Sequence, residues 1–384
     1  MKKRIELNGI TWDHSRAFPP LCAAAQRYWE INGQVRVNWQ KRTLDEFGHA
    51  PIETLSERFD LVVIDHPWAG YCFKRDLVYD LKSLLTAAQW TDLQQNCIGP
   101  SFESYHYNGQ LLAIPIDAAT PAPSWRPDLL EKKRVRIPEK WSEAVALADR
   151  GLAVMPAFPA DLFLNFSMLL EALSAEPFQN PRRFAHREKS LQAMALLRRL
   201  AENMPPEIYQ WNPIAVAEMM TDSEDFVYCP FAYSYNNYAR RNFTARPLRY
   251  GNLISLDDGT PLKSIVGGTG IAISKRCRNV DAALDYALFC AGASMQKGIY
   301  THAGGQPVRV EAWTDPALDD FTGNFFSASR KTHEECLLRP RYDGYVRLQE
   351  RGGIPLQQFL KGEISAESAF AAINAEYKSV GREA

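Results

Sequence analysis

Residues 59–68 read FDLVVIDHPW and contain the clearest strand of the chain. Its centre, Leu61 to Ile64, is a continuous apolar run rich in β-branched residues, which is typical of a strand buried on both faces of a parallel sheet. The run ends in Asp65, His66 and Trp68. In open α/β sheets, ligands bind beyond the carboxyl ends of the strands. The stretch therefore predicts a central strand whose end forms part of a ligand site.

Two further strands are predicted before this one. Residues 4–11 alternate as a strand, a helical face follows from Pro19 to Gly33, and residues 35–39 form a second short strand. A second helix then precedes the strand at 60–65, so the order is β-α-β-α-β, which predicts a doubly wound α/β sheet. A tryptophan stands at or just after the end of each strand: Trp12, Trp39 and Trp68.

Length and composition limit the class of protein. A chain of 384 residues exceeds one ordinary core, so two domains are expected. The net charge of −1 gives no strongly basic field that would argue for nucleic acid as a partner. Seven cysteines without CxxC spacing predict buried free thiols rather than a zinc site or a disulfide framework. The basic start lacks a following apolar segment, so no secretory signal is expected in this sequence, and no apolar run is long enough for a transmembrane helix.

The rest of the chain continues the alternation of strands and helices. GQLLAIPI at 109–116 predicts a strand followed at once by Asp117, and IVGGTGIAIS at 265–274 predicts another. Residues 225–235 form a strand and loop dense in aromatic side chains. Helices are expected at 161–173, 189–204 and 281–290. GxSxG and HExxH do not occur, so neither catalysis nor a cofactor is predicted.

Four segments together resemble the extracellular solute-binding proteins of ABC importers, most closely their family 1, the sugar-binding type. They are FDLVVID at 59–65, GQLLAIPID at 109–117 with the WRPDLLEKKRVRIPEKWSEAV that follows, GGTGIAISKRCRNVDAALDYALFCAGASMQK at 267–297, and GGQPVRVEAW at 304–313. They occur in the order that is usual in that family.

The resemblance implies the type II periplasmic-binding-protein-like fold, in which two doubly wound α/β lobes are joined by hinge strands with a ligand cleft between them. It implies lobe one at 1–114 and 266–310, lobe two at 117–262, and C-terminal helices at 311–384 that pack across both lobes. The partners would be a small-molecule ligand and the membrane subunits of an ABC importer, and a monomer is expected.

Site candidates at the strand ends each have a second interpretation. Trp12, Asp13 and His14 follow the first strand and would give a stacking ring and polar contacts, or a packed tryptophan with a capping aspartate. Asp65, His66 and Trp68 have the same two interpretations. The two Asp-His pairs also permit a metal site, although no spaced third and fourth ligands are evident, so no metal is predicted.

The remaining candidates come from later segments. Asp117 would accept hydroxyl groups or pair with an amine, or would serve as a hinge hydrogen bond. The glycines before the strand at 265–274 do not match a nucleotide-binding fingerprint and instead predict close backbone approach with main-chain N–H groups for a ligand. Further candidates are the cleft residues Tyr233, Tyr235 and Asn236 and the backbone at Gly268 and Thr269.

The sequence thus predicts a non-enzymatic solute-binding protein that captures a small polar ligand, with a carbohydrate as the expected class, for an ABC importer. The resemblance implies a periplasmic location. The alternative is a cytoplasmic ligand-binding sensor or enzyme on the same fold that binds a small carboxylate or a metal. The absence of a signal segment and the seven cysteines favour that alternative.

Overall fold

A computed structural model describes residues 4–49 and 52–380. Residues 1–3, with which the expectation about a secretory signal begins, lie outside the described residues. Within the described ranges the strands are β1 (Ile5–Trp12), β2 (Val35–Arg42), β3 (Leu61–Asp65), β4 (His106–Tyr107), β5 (Gln110–Leu111), β6 (Ile114–Ala119), β7 (Pro121–Trp125), β8 (Tyr228–Tyr233), β9 (Arg249–Tyr250) and β10 (Gly267–Ile273).

The helices in the same ranges are α1 (Phe18–Asn32), α2 (Leu44–His49), α3 (Ile52–Arg58), α4 (Ala69–Lys74), α5 (Ala87–Asn96), α6 (Pro127–Lys133), α7 (Trp141–Asp149), α8 (Pro159–Ala172), α9 (Arg187–Ala201), α10 (Pro213–Asp222), α11 (Val280–Ala291), α12 (Ala293–Met295), α13 (Val310–Trp313), α14 (Pro316–Phe321), α15 (Phe325–Glu334), α16 (Tyr345–Leu360) and α17 (Ala366–Ser379). Short 3₁₀ turns cover His66–Trp68, Leu81–Ser83, Gly99–Ser101, Glu103–Tyr105, Pro206–Tyr209 and Asn236–Ala239, and Gln296–Tyr300 forms a π-helix.

The chain divides into two compact units. Unit one contains residues 1–119, 266–320 and 341–343, and unit two contains residues 120–265, 321–340 and 344–384. The lobe boundaries that we expect from the sequence stay a prediction.

Unit one is built on a five-stranded sheet with the order β2-β1-β3-β10-β6. The first three strands have the order 2-1-3 and are parallel, as in the doubly wound sheet that the sequence predicts. β10 runs antiparallel to both β3 and β6, so β6 is parallel to β3. β3 lies in the middle of the sheet, and its residues Leu61 to Ile64 are fully buried, as its unbroken apolar run predicts. The edge strand β2 alternates between buried and exposed residues over its first six positions instead.

Unit two contains a three-stranded antiparallel sheet with the order β8-β7-β9. Unit two also contains an aromatic cluster, in which the rings of Phe163, Phe178 and Phe184 lie against one another and meet those of Tyr345 and Tyr377. This cluster joins α8 to the C-terminal helices α16 and α17. The C-terminal helices are therefore an integral part of the core of unit two.

The cysteines confirm the prediction of free thiols. All seven are free, six of them are buried, and Cys22 is half-buried. Among the described helices, none combines the length and the apolar character that crossing a bilayer requires.

Candidate functional site

Three polar residues meet where the strands of unit one end. In the register of the sheet, Thr269 of β10 is paired with Asp65 of β3 on one side and with Asp117 of β6 on the other. Directly paired residues of neighbouring strands present their side chains on the same face of a sheet. Asp65, Thr269 and Asp117 therefore share one face at the end of the sheet, and we call these three residues the carboxyl edge.

Asp117 is engaged by an arginine that the sequence analysis did not single out. The Nε atom of Arg16 donates to Oδ2 of Asp117 at 2.8 Å, and its Nη2 atom donates to Oδ1. Both side chains are buried. Burial raises the pKa of Asp117, and the Arg16 guanidinium opposes that shift while the nearby Asp65 adds to it. Asp117 is thus one half of a buried bidentate ion pair within unit one.

His14 positions the backbone of this arginine. The main-chain N–H of Arg16 donates to Nδ1 of His14 at 3.0 Å, so the proton of the neutral imidazole lies on Nε2. Burial, assisted by the charge of Arg16, lowers the pKa of His14 to about 4. The neighbouring Asp13 is exposed and binds Nζ of Lys41 at 2.9 Å. His14 is therefore a neutral hydrogen-bonding group at ordinary pH, whereas Asp13 is a surface carboxylate.

Of the two carboxylates of the carboxyl edge, Asp65 is the one that is exposed to solvent. Its side chain is 28% exposed, and Oδ1 accepts the main-chain N–H of His66 at 2.8 Å. The imidazole of His66 is buried, with Nδ1 lying 3.2 Å from the same oxygen and its ring edge-on to Tyr105. A partly exposed carboxylate in this setting can accept hydrogen bonds from hydroxyl or ammonium groups.

The two predicted stacking tryptophans are buried. The ring of Trp12 lies 4.8 Å from the ring of Phe47 in the core of unit one. Trp68 meets the ring of Tyr71 edge to face at 5.1 Å. Both rings are packed in the core, which is the second of the two interpretations that the sequence left open.

The backbone of β10 lies very close to that of β6 at Gly268. Gly268 has a φ of +97°, and a Cβ atom there would lie 2.2 Å from the carbonyl oxygen of Asp117. Only glycine suits this position. The neighbouring Thr269 hydroxyl is buried and has no hydrogen-bond partner among the described residues. A buried hydroxyl in that state normally binds water or a ligand.

The glycine-rich loop at 304–307 supports β6 from the other side. Nε2 of Gln306 donates to the carbonyl oxygen of Ala118 at 2.6 Å, and the main-chain N–H of Ala118 donates to the carbonyl oxygen of Gln306 at 3.2 Å. This loop therefore holds the strand that carries Asp117 in place.

The predicted residues of unit two form a set of their own. Tyr233 ends β8, is half-buried, and has its ring centre 5.9 Å from Cζ of Arg339. Tyr235 and Asn236 are buried, and Oδ1 of Asn236 accepts from Nη2 of Arg240 at 3.0 Å.

Sequence reasoning overlooked Arg16 and Tyr105. Arg16 stands two residues after His14 in the loop that follows β1, and this proximity was the available signal. The hydroxyl of Tyr105 donates to the carbonyl oxygen of Ile64 at 3.0 Å and lies 3.3 Å from that of Gly268. No local pattern predicts that contact, because it joins three distant segments. Within residues 4–49 and 52–380, no group of three His, Cys, Asp or Glu side chains is placed to hold a metal ion.

Comparison with known proteins gives the family. The family model described as bacterial extracellular solute-binding protein matches residues 24–321. No curated protein matches the chain in sequence.

Solved structures share the fold at low sequence identity. The maltose-bound MalE3 of T. maritima aligns with a TM-score of 0.81 at 16% identity, over 98% of this chain and 99% of that chain. The GacH receptor of Streptomyces glaucescens, solved unliganded and with acarbose, aligns with a TM-score of 0.83 at 15% identity over 100% of both chains. An ABC transporter solute-binding protein from Agrobacterium radiobacter K84, in complex with ribitol, aligns with a TM-score of 0.80 at 18% identity, over 98% of this chain and 99% of that chain. With the family model spanning most of its length and this fold throughout, the chain belongs to the bacterial extracellular solute-binding proteins.

Proposed function

We propose that this protein captures a neutral carbohydrate or polyol and presents it to the membrane subunits of an ABC importer, without catalysis. The observation that carries the proposal is the carboxyl edge of Asp65, Thr269 and Asp117 in a chain of the solute-binding family. Neighbours of the same fold are described as binding maltose, acarbose and ribitol. A periplasmic location, the lobe boundaries predicted from the sequence, and the site residues of both units belong to the same proposal.

The charges at the carboxyl edge favour a neutral polyhydroxy solute over a carboxylate. The guanidinium of Arg16 is bound by Asp117, so its positive charge is already balanced, and His14 is neutral. Asp65 adds a partly exposed negative charge. Hydroxyl groups donate readily to such a carboxylate, whereas an anionic solute would meet like charge.

A thermal-shift screen tests the ligand class. Sugars, polyols, amino acids and carboxylic acids would be offered to the protein, and a solute present at 100 times its Kd adds about 2.7 kcal/mol to the free energy of unfolding. We expect shifts with neutral sugars or polyols. A shift with organic acids alone would overturn the proposed class.

The Asp65→Asn variant tests the site. Loss of a charged acceptor should weaken the solute found in the screen roughly tenfold to a hundredfold in titration calorimetry. Asp76→Asn is the matched control, because Asp76 is an exposed carboxylate of unit one that pairs with Lys275. Equal affinity in wild type and Asp65→Asn would remove Asp65 from the site.

The free cysteines favour one alternative function, a ligand-binding sensor in a reducing compartment, because exported proteins meet an oxidising environment. Fractionation of cells that carry the tagged natural gene distinguishes the two. Recovery of the protein in the cytoplasm, with all thiols reduced, would support the sensor and reject the importer.

A further inference from the structure

A three-residue segment from the C-terminal part of the chain belongs to unit one. Residues 341–343 cluster with unit one, while residues 321–340 before them and 344–384 after them belong to unit two. We call the segment Arg341–Asp343 the strap. Such a short segment needs specific contacts to be held, and its contacts within unit one are extensive.

The first set of contacts comes from the side chain of Arg341. Its Nη1 atom donates to the main-chain carbonyl oxygens of Glu103 at 2.5 Å and His106 at 2.9 Å, and lies 3.4 Å from that of Ser104. Glu103 and Ser104 belong to the 3₁₀ turn at 103–105, and His106 directly follows it. The guanidinium thus fixes the geometry of the turn.

That turn carries Tyr105, which holds the central strands. The Tyr105 hydroxyl binds the carbonyl oxygen of Ile64 in β3 and lies beside that of Gly268 in β10. Ile64 directly precedes Asp65, and Gly268 directly precedes Thr269. The ring of Tyr105 also meets the ring of His66 edge to face. A shift of the turn would therefore move two members of the carboxyl edge.

The second set of contacts comes from the backbone and from Asp343. The main-chain N–H of Gly70 donates to the carbonyl oxygen of Arg341 at 2.7 Å. A Cβ atom at position 70 would lie 2.0 Å from that oxygen, so the close approach requires glycine. Asp343 binds Nη1 of Arg75 at 2.9 Å and lies 3.7 Å from Nζ of Lys74. These contacts hold α4, which follows the His66–Trp68 turn.

We propose that the strap is a positioning element for the solute site, with Arg341 acting through Tyr105 on Asp65 and Thr269. The strap holds the carboxyl edge from two sides, through the turn at 103–105 and through α4. The part of the inference that concerns solute affinity rests on the proposed function. The part that concerns the position of the carboxyl edge does not.

The Arg341→Lys variant tests the positioning without any ligand. Lysine keeps the charge, but its side chain ends one atom short of Nη1, so it does not place a donor where Nη1 of Arg341 meets the carbonyls of Glu103 and His106. Hydrogen exchange of the full-length protein, followed by mass spectrometry, should show exchange several-fold faster than in wild type in peptides covering 64–70 and 266–270. Tyr105→Phe should have the same effect, and the double variant should equal either single variant. Asp343→Asn is a milder variant expected to shift exchange at 69–75 in the same direction.

Arg126→Lys is the matched control in unit two. Arg126 is fully buried and also donates to main-chain carbonyls, those of Met220 at 2.6 Å and Ser223 at 2.8 Å. Its substitution should lower overall stability while peptides 64–70 and 266–270 exchange as in wild type. Equal exchange at those peptides in the two lysine variants would overturn the strap as a specific positioning element, as would additive effects of Arg341→Lys and Tyr105→Phe.

The ligand arm uses the neutral sugar or polyol with the largest shift in the screen. Its Kd should rise roughly tenfold in Arg341→Lys and remain within twofold in Arg126→Lys. Faster exchange with an unchanged Kd would reject the role of the strap in solute binding. If no sugar or polyol binds the wild type, the proposed function fails, while the exchange result still decides whether the strap positions the carboxyl edge.

Discussion

Removing Arg16 should expose how much unit one depends on the buried ion pair with Asp117. In an Arg16→Met variant the methylene packing is kept, but Asp117 loses the two hydrogen bonds that Arg16 donates to Oδ1 and Oδ2. Breaking a buried pair and leaving one charge uncompensated costs about 3–5 kcal/mol. For domains of 150–250 residues each kcal/mol lowers Tm by roughly 2–4 °C, so a drop on the order of 10 °C is expected.

The loss should depend on pH in a defined direction. Burial already raises the pKa of Asp117, and the variant lacks the guanidinium that opposes this shift. A carboxyl group with a raised folded-state pKa contributes stability below its unfolded pKa, and that contribution disappears as pH rises through the folded pKa. The deficit of Arg16→Met against wild type should therefore be smaller at pH 5 than at pH 7.5.

Urea and thermal unfolding, followed by circular dichroism at both pH values, measure this deficit. The Arg16→Met/Asp117→Asn double variant is the control, because it removes the unpaired charge and should regain part of the loss at pH 7.5. A deficit below about 1 kcal/mol that is the same at both pH values would refute the reasoning, since it would mean that Asp117 is well solvated without its partner.

Three further predictions concern other features of the chain. Gly268→Ala should cost at least about 3 kcal/mol of unfolding free energy, because of its left-handed φ and the contact with Asp117, whereas Gly33→Ala, with open space around it, should cost about 1 kcal/mol in the same urea titration. His14, with a pKa of about 4, should make the wild type less stable as pH falls from about 6.5 to about 4, because the unfolded chain takes up the proton first; a His14→Gln variant that kept the full slope would exclude this residue as its source. With a thiol reagent at pH 8, the native protein should react rapidly at Cys22 alone and at all cysteines in urea, and fast labelling of the buried thiols would contradict their packing.

The parts of the fold set by local patterns could be predicted from the sequence. β3 was expected at 60–65 and spans Leu61–Asp65, and α11 was expected at 281–290 and spans Val280–Ala291. Apolar periodicity determines such elements. No local pattern predicts that β10 lies between β3 and β6, because the pairing joins residues about 200 positions apart. That insertion is what places Thr269 between the two carboxylates.

The candidate site was predictable only where a residue lies at a strand end. Asp65 was expected in this way and does end β3, because strand ends of a parallel sheet collect on one edge. Asp117 was expected directly after a strand but lies inside β6, which continues to Ala119. The burial of Trp12 and Trp68 was not predictable, since a tryptophan at a strand end suits a core and a ligand equally. The partner of Asp117 was missed because an ion pair across 101 positions leaves no mark on local sequence.

The division of labour between the two carboxylates follows from their partners. Asp117 is buried and held by Arg16, so its charge is balanced inside the protein and its main effect is to fix the loop after β1 against β6. Asp65 lies on the same face and is partly exposed. In the proposed function we expect Asp65 to disfavour a negatively charged solute at this edge, and we expect Arg16, Tyr105 and the strap to maintain the geometry that presents Asp65. Affinity should accordingly respond to substitutions at both kinds of residue, and charge selectivity should respond to Asp65.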